Sequence, residues 1–514
     1  MTEIIEVTAP GLAYICLGGF VVAFSMFSLL VKERLYINEV VLGTAFGVIV
    51  GPHVANAFDP RTWGTSTNFI TLEIMRIVLA VGLFAIGVEL PRSYMAKHAK
   101  SLLTMVVPTM AIGWAVVAGI LYGLFPKLSF ISCLAIASCL TPTDPIICAS
   151  IVGGRYAKKH VPLNLRHILS AESAANDGLA FPFLTISLYL LLDTTRREAI
   201  THWVLIGWLY QVIFGVVAGA ILGLAFSYVM KFSHKRGYID RESYVAQYLA
   251  LAIFVTGIVS TIGSDDLLAA FAAGSAISWD GDFNDNTEGE VFASVIDLVL
   301  NCACFVYIGA WLPFESFNSP ELGIVSWRLV VLFLCILILR RIPAILALYK
   351  WIPEIRTWRE ALFSGHFGPV SFLVSYTAAL HKLPNPHNPP QNEEEFLAAC
   401  LQPIVAFVVL GSIIIHGLSI PFFSLGKSTI SLSNTLTSRS SNKTPDWLIG
   451  IRHTSALQTP LTAPREDTSL TGVVTPPAPD TSKPDVVIRT RPVTPDAVEE
   501  VLIQPKAVHF PAAQ

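Results

Sequence analysis

Apolar runs of about 20 residues follow one another from near residue 11 to near residue 424, parted by short polar or proline-bearing breaks. Each run is long enough to cross roughly 30 Å of hydrocarbon as a helix. Hydropathy and breaks together predict about 13 spans, near 11–31, 37–57, 68–90, 101–125, 128–152, 165–192, 202–230, 243–262, 265–279, 290–312, 324–349, 360–380 and 396–424. Polar faces at helical spacing, which a large soluble core would need, are nearly absent. The pattern predicts an all-α polytopic membrane protein.

Composition agrees. Of the 514 residues, 53% are hydrophobic and only 14% charged, too few to cover a soluble surface. A net charge of -3 gives no reason to expect a nucleic-acid partner. Met1 to Pro10 carries Glu3 and Glu6 without a basic residue, so the first run is expected to be a retained span and not a cleaved leader. The eight cysteines all fall in apolar segments without a CxxC pair, reading as small packing residues and not as disulfides or zinc ligands. Nothing calls for a cofactor.

Basic residues set the expected orientation. With the N-terminus outside, cytoplasmic loops collect Lys32/Arg34, Arg92/Lys97/Lys100, Arg155/Lys158/Lys159, Lys231/Lys235/Arg236/Arg241 and Arg356/Arg359. The opposite loops hold only Arg61, Lys127, Arg196/Arg197 and Lys382. The acidic loop from Asp280 to Glu290 runs against this count on the cytoplasmic side. From about Lys427 onward Ser, Thr and Pro dominate, with Thr-Pro pairs at 459–460, 475–476 and 494–495. Such a segment cannot bury enough apolar surface to offset its ordering entropy. A transmembrane domain over 1–426 and a disordered cytoplasmic tail over 427–514 are expected.

Charge inside the spans marks the candidate chemistry. Span five contains Thr141-Pro142-Thr143-Asp144-Pro145, whose two prolines remove helix hydrogen bonds and disfavour helical geometry before them. The helix should open there, and open backbone at that depth is tolerated only inside protein or beside water. Span six contains Glu172-Ser173-Ala174-Ala175-Asn176-Asp177-Gly178, in which Glu172/Asn176 and Ser173/Asp177 are i,i+4 pairs on one face. Ala174, Ala175 and Gly178 let another helix come close. Asp177 lies about 12 residues, roughly 18 Å, into its span. Carboxylate, hydroxyl and carbonyl oxygens are the ligands a hard monovalent cation wants. Burial favours the protonated carboxyl and a bound cation favours the carboxylate, so cation and proton compete for one charge.

Span eleven holds Arg340-Arg341-Ile342-Pro343, and a guanidinium at that depth should face the aspartates or Glu172, with interfacial snorkelling as the alternative for Arg341. Span twelve carries Gly365-His366-Phe367-Gly368-Pro369, a second interruption seven spans after the first. An odd offset reverses orientation, as an inverted repeat with two crossing broken helices requires. Glu73 and Arg76, spaced i,i+3, could simply neutralise each other. Asp265-Asp266 could form an interfacial turn, and His416 could either titrate or pack.

Four strings, Thr-Pro-Thr-Asp-Pro at 141–145, Ala-Glu-Ser-Ala-Ala-Asn-Asp-Gly at 171–178, Ser-Asp-Asp at 264–266 and Ser-Gly-His-Phe-Gly-Pro at 364–369, carry a family resemblance over roughly residues 10–425. The sequence resembles the fungal plasma-membrane Na+/H+ antiporters of the monovalent cation:proton antiporter-1 family. The resemblance implies the Na+/H+ antiporter fold, a homodimer in lipid, and exchange of Na+, Li+ or K+ for H+ in salt tolerance and cation and pH homeostasis. It also implies an elevator-like core (spans about 101–192 and 324–424) moving against a dimer scaffold (11–90 and 202–312). The cation site maps onto Asp177, Asp144, Thr143, Glu172 and Ser173, with Thr141, Asn176, Asp265 and Asp266 in support. An arginine holds Asn176 in such relatives, and spacing to Pro343 favours Arg340 for that role over Arg341. The tail is shorter than in the longest fungal members, so tail-dependent regulation is not carried over.

Other classes fit less well. A channel with a polar pore would not couple flux to a pH gradient. An intramembrane aspartyl protease needs its second aspartate in Gly-x-Gly-Asp, whereas this chain has Asn-Asp-Gly. An organic-anion symporter is disfavoured by the carboxylate-rich site. Asn176, in place of a second adjacent aspartate, points to one-for-one exchange, with Asp144 as the further carboxylate to be counted.

Overall fold

The structure, a computed structural model, describes residues 7–35, 37–64, 67–287, 292–366, 383–384 and 386–437. The chain divides into a unit over Met1–Thr454 and a second over Ser455–Gln514, the latter wholly outside the described residues.

Ten described helical segments are long and apolar enough to cross a membrane, and two shorter apolar helices, Glu39–Val50 and Asp266–Ile277, join them. Together they account for twelve of the expected spans; most of the remaining one, 360–380, lies outside the described residues, as does the half of its interruption after His366. The helices used below are α1 (Ala9–Leu29), α2 (Glu39–Val50), α3 (Thr67–Glu89), α4 (Ala99–Val106), α5 (Pro108–Leu124), α6 (Phe130–Leu140), α7 (Pro145–Gly153) and α8 (Leu163–Leu192). They continue as α9 (Gly215–Lys235), α10 (Arg241–Ile262), α11 (Asp266–Ile277), α12 (Phe292–Trp311), α13 (Ser326–Leu339), α14 (Ile342–Leu348), α15 (Trp358–Gly365) and α16 (Glu393–Thr437). The backbone of α16 runs past Lys427, where the composition changes. A single isolated bridge, Ser319 to Ile324, is the extent of β pairing among the described residues.

Lipid gives helices no hydrophobic reason to associate, so close backbone contact at small residues has to do it. A Cβ placed on Gly219 of α9 would lie 2.2 Å from the Ala269 carbonyl oxygen of α11, and one on Gly274 of α11 would lie 2.2 Å from that of Phe84 in α3. Gly47 of α2 meets Val306 of α12 in the same way, at 2.1 Å. Polar caps start several helices. Asn38, Asp240 and Asp265 accept backbone amides at the heads of α2, α10 and α11, and Thr357 with Glu360 forms a capping box on α15.

The acidic 280–287 stretch, which ran against the expected charge count, is neutralised from the loops it was set beside. Asp285 pairs with Arg92 at 2.6 Å, Asp280 pairs with Lys231, and Asp282 accepts the Tyr244 hydroxyl at 3.0 Å. The Ser93 amide donates to the Trp279 carbonyl at 3.1 Å. The acidic loop therefore lies at the same end of the bundle as Arg92 and Lys231. Lys231 also holds the Asp280 carboxyl below its usual range.

Besides the one-residue break at Val107 that parts α4 from α5 before Pro108, two spans are interrupted. Span five parts into α6 and α7, as its prolines predict. Span eleven, expected as continuous, parts into α13 and α14 at Arg340–Arg341. Pro343 sits in the first turn of α14 and has no amide to give the preceding turn, so Arg341 leaves helical geometry at φ -124° and ψ -39°.

Candidate functional site

The break in span five is held open by specific partners. Pro145 begins α7 and Asp144 caps it, its Oδ1 accepting the Ile147 amide at 2.7 Å. Thr141 closes α6 by donating its hydroxyl to the Ala137 carbonyl at 2.6 Å. The Thr143 amide donates to Asn176 Oδ1 at 3.2 Å, while Asn176 Nδ2 donates to Thr143 Oγ1 and Glu172 Oε1, both at 2.8 Å. The expected Glu172/Asn176 pairing on one helical face is thus present, and it clamps the break to α8.

The two arginines divide the work differently from the spacing argument. Arg341 donates to both oxygens of Glu172, at 2.7 and 2.8 Å, and through Nε to the Ser364 carbonyl at 2.9 Å. Arg340 donates to the carbonyls of Thr141 and Pro142 in the break. Arg341 is thus linked to Asn176 through Glu172, and Arg340 donates to the freed backbone. The snorkelling alternative for Arg341 is also replaced, since both side chains are buried. The physical reason is the interruption before Pro343, which sends consecutive side chains in different directions. Gly113 of α5 makes room, for a Cβ there would lie 2.7 Å from the Arg340 carbonyl oxygen.

Asp177 is buried, and its Oδ2 has no hydrogen-bond partner among the described residues. Ser173, one turn earlier, donates back to the Ser170 carbonyl at 3.0 Å and not to Asp177. Asp144 and Asp265 both lie close enough for their charges to act on Asp177. Asp265 caps α11 just as Asp144 caps α7, its Oδ1 accepting the Leu268 amide at 2.9 Å. A Cβ on Gly178 would stand 3.3 Å from Asp265 Oδ2 and 2.8 Å from Leu268 Cβ, so α8 passes directly over this cap. Three carboxylates from three helices converge, and each cap commits one oxygen to its own helix. A buried carboxylate oxygen without a protein donor is a place for a proton, a cation or a water.

Asp266 is buried and Asp265 half-buried at the head of α11, where each meets a neighbouring helix. Asp266 lies 3.0 Å from Arg76 Nε, and Arg76 also meets Glu73 at 2.6 Å, so the expected Glu73/Arg76 pair is one side of a larger group. His416 is buried, with Nε2 at 2.6 Å from the His366 carbonyl and Nδ1 at 2.9 Å from that of Ser412. The Phe367–Pro369 part of the second motif lies outside the described residues.

An all-helical bundle with an opened span and a buried carboxylate cluster defines a polytopic membrane protein of ion-carrier architecture. A family model described as the transmembrane sodium/hydrogen exchanger matches residues 20–426, and the chain belongs to that family. It is 46% identical over 84% of its length to a probable Na+/H+ antiporter of Schizosaccharomyces pombe, covering 59% of that protein. It is 43% identical over 86% of its length to Na+/H+ antiporter 2 of Zygosaccharomyces rouxii, covering 57% of it. The chain thus spans somewhat under three-fifths of the length of these relatives. A second S. pombe Na+/H+ antiporter is 39% identical, with 81% of this chain matched to 90% of that protein. The sodium proton antiporter MjNhaP1 from Methanocaldococcus jannaschii shares the fold, with a TM-score of 0.58 at 16% identity, over 81% of this chain and 99% of that one.

Proposed function

We propose that the protein is a secondary active antiporter that exchanges Na+, and also Li+ or K+, for H+. One observation carries this reading: the Asp177 carboxylate, buried among Asp144 and Asp265, has an oxygen that no described donor satisfies. A proton or a monovalent cation completes it, and either one discharges the site. Asp144, Thr143 and Ser173 stand as oxygen ligands of the cation beside Asp177. Glu172, committed to Arg341 and Asn176, supports the site by holding its geometry.

The reading extends to the cycle. The core, spans of about 101–192 and 324–424, moves as an elevator against a scaffold over 11–90 and 202–312, with two copies of the chain joined through their scaffolds. The protein sits in the plasma membrane with its N-terminus outside and a cytoplasmic tail over 427–514, and serves salt tolerance and cation and pH homeostasis. The distribution of basic loops supports the orientation.

The test is transport in proteoliposomes at clamped voltage with Na+, Li+ and K+. An imposed Na+ gradient should move protons the other way, and Asp177→Asn should abolish this while leaving a folded protein. Exchange persisting in Asp177→Asn would remove Asp177 as carrier. Cation flux without proton movement would make the protein a channel.

A further inference from the structure

Arg76 lies outside the Asp144–Asp177 cluster but is tied to it through a single peptide bond. Its Nη1 donates to Glu73 Oε1 at 2.6 Å and to Ser260 Oγ at 3.2 Å, and its Nε lies 3.0 Å from Asp266 Oδ2. Asp266 is the first residue of α11, and Asp265 immediately before it caps that helix. The two neighbouring carboxylates go opposite ways. Asp266 turns to Arg76 on α3, whereas Asp265 stands against Gly178 on α8, one residue from Asp177. Arg76 itself lines a cavity of about 230 Å³ between α3 and α10, together with Glu73, Ile77, Ile253, Thr256 and Ser260.

Charge accounting gives this geometry a purpose. Asp177 already feels Asp144 and Asp265. A second free carboxylate at the head of α11, the fourth around the site, would deepen the negative potential there, and at low effective dielectric such a term is large. A cation would then bind more tightly and leave more slowly. Turnover requires binding strong enough to load the site and weak enough to release it.

We propose that Arg76 is a positioning residue for exchange at Asp177: it holds the Asp266 carboxylate on the α3 side, so that the arriving cation meets Asp177, Asp144 and Asp265 without a fourth free charge. The bland alternative is that Arg76 and Glu73 merely neutralise each other within the span, which would leave cation affinity untouched. The inference rests on Asp177 being the exchange site.

The sign of the effect separates the two. In proteoliposomes of the full chain, Arg76→Gln should lower the KM for Na+ about fivefold and slow the maximal rate. Asp266→Asn should do the reverse, raising the KM about fivefold because Arg76 then loses one of its two carboxylate partners and more of its positive charge reaches Asp265. The double variant Arg76→Gln/Asp266→Asn should bring the KM back toward that of the unaltered protein. Shifts of the same sign in both single variants, or an unchanged KM in a folded Arg76→Gln protein, would overturn the proposal. Should Arg76→Gln fail to accumulate, Asp266→Asn alone decides: an unchanged or lowered KM overturns it. Absence of Na+-driven proton movement in the unaltered protein would instead sink the exchange reading itself.

Discussion

Arg341 grips both oxygens of Glu172, at 2.7 and 2.8 Å, while its neighbour Arg340 turns to the carbonyls of the opened span. Removing one partner of a buried pair leaves the other charge uncompensated, at a cost of about 3–5 kcal/mol. Arg341→Ala should therefore lower the melting midpoint in detergent sharply. Adding Glu172→Gln to that background should recover part of the loss. Strictly additive losses in the double-mutant cycle would mean that the two side chains do not work as a pair.

Asn176 uses every polar atom it has, donating to Thr143 and Glu172 and accepting from the Thr143 amide. Aspartate can only accept, and it would set a second carboxylate against Glu172. Asn176→Asp should destabilise the protein by about 2 kcal/mol or more, with buried polar groups left unpaired. Thr143→Ala, which removes one of the three bonds, should cost about 1 kcal/mol. Thermal or denaturant unfolding of both variants gives the order, and a larger loss in Thr143→Ala would be inconsistent with the clamp.

If proton and Na+ share the Asp177 carboxylate, acidification must weaken apparent Na+ affinity. The sign follows from competition: more protons occupy the site, so the KM for Na+ rises as pH falls, by up to about tenfold per unit where the protonated form dominates. Initial rates over a grid of pH and Na+ measure this. A KM independent of pH with a falling maximal rate would place the proton elsewhere.

Gly219 and Gly257 offer a matched comparison in neighbouring helices. A methyl group on Gly219 would meet the Ala269 carbonyl oxygen at 2.2 Å, whereas one on Gly257 meets nothing within 4 Å. Gly219→Ala must push α9 away from α11 and should cost about 1–3 kcal/mol or more. Gly257→Ala should be neutral or stabilise slightly through helix propensity. Equal melting points for the two would show that the α9–α11 contact can relax.

Much of this was legible because the bilayer allows few solutions. Apolar run length located twelve of the spans, and Pro142 and Pro145 located the break that Asp144 caps. The i,i+4 spacing placed Glu172 and Asn176 on one helical face, where they hydrogen-bond. What stayed hidden was long-range in sequence. Nothing near Asp266 announces Arg76, since 190 residues separate them and only helix packing joins them. The division between Arg340 and Arg341 was out of reach for a similar reason. It depends on how far Pro343 disturbs the preceding turn, and one turn of helix shifts which arginine meets Glu172. Pro343 was a usable signal for the interruption itself, though not for which side chain went where.

Gly178 deserves a mechanical reading. Where α8 passes Asp265 and Leu268 it presents hydrogen and no side chain, so no tooth catches on the partner surface next to Asp177. Under the proposed elevator motion, this smooth contact is the surface along which the helix that carries Asp177 would slide past α11.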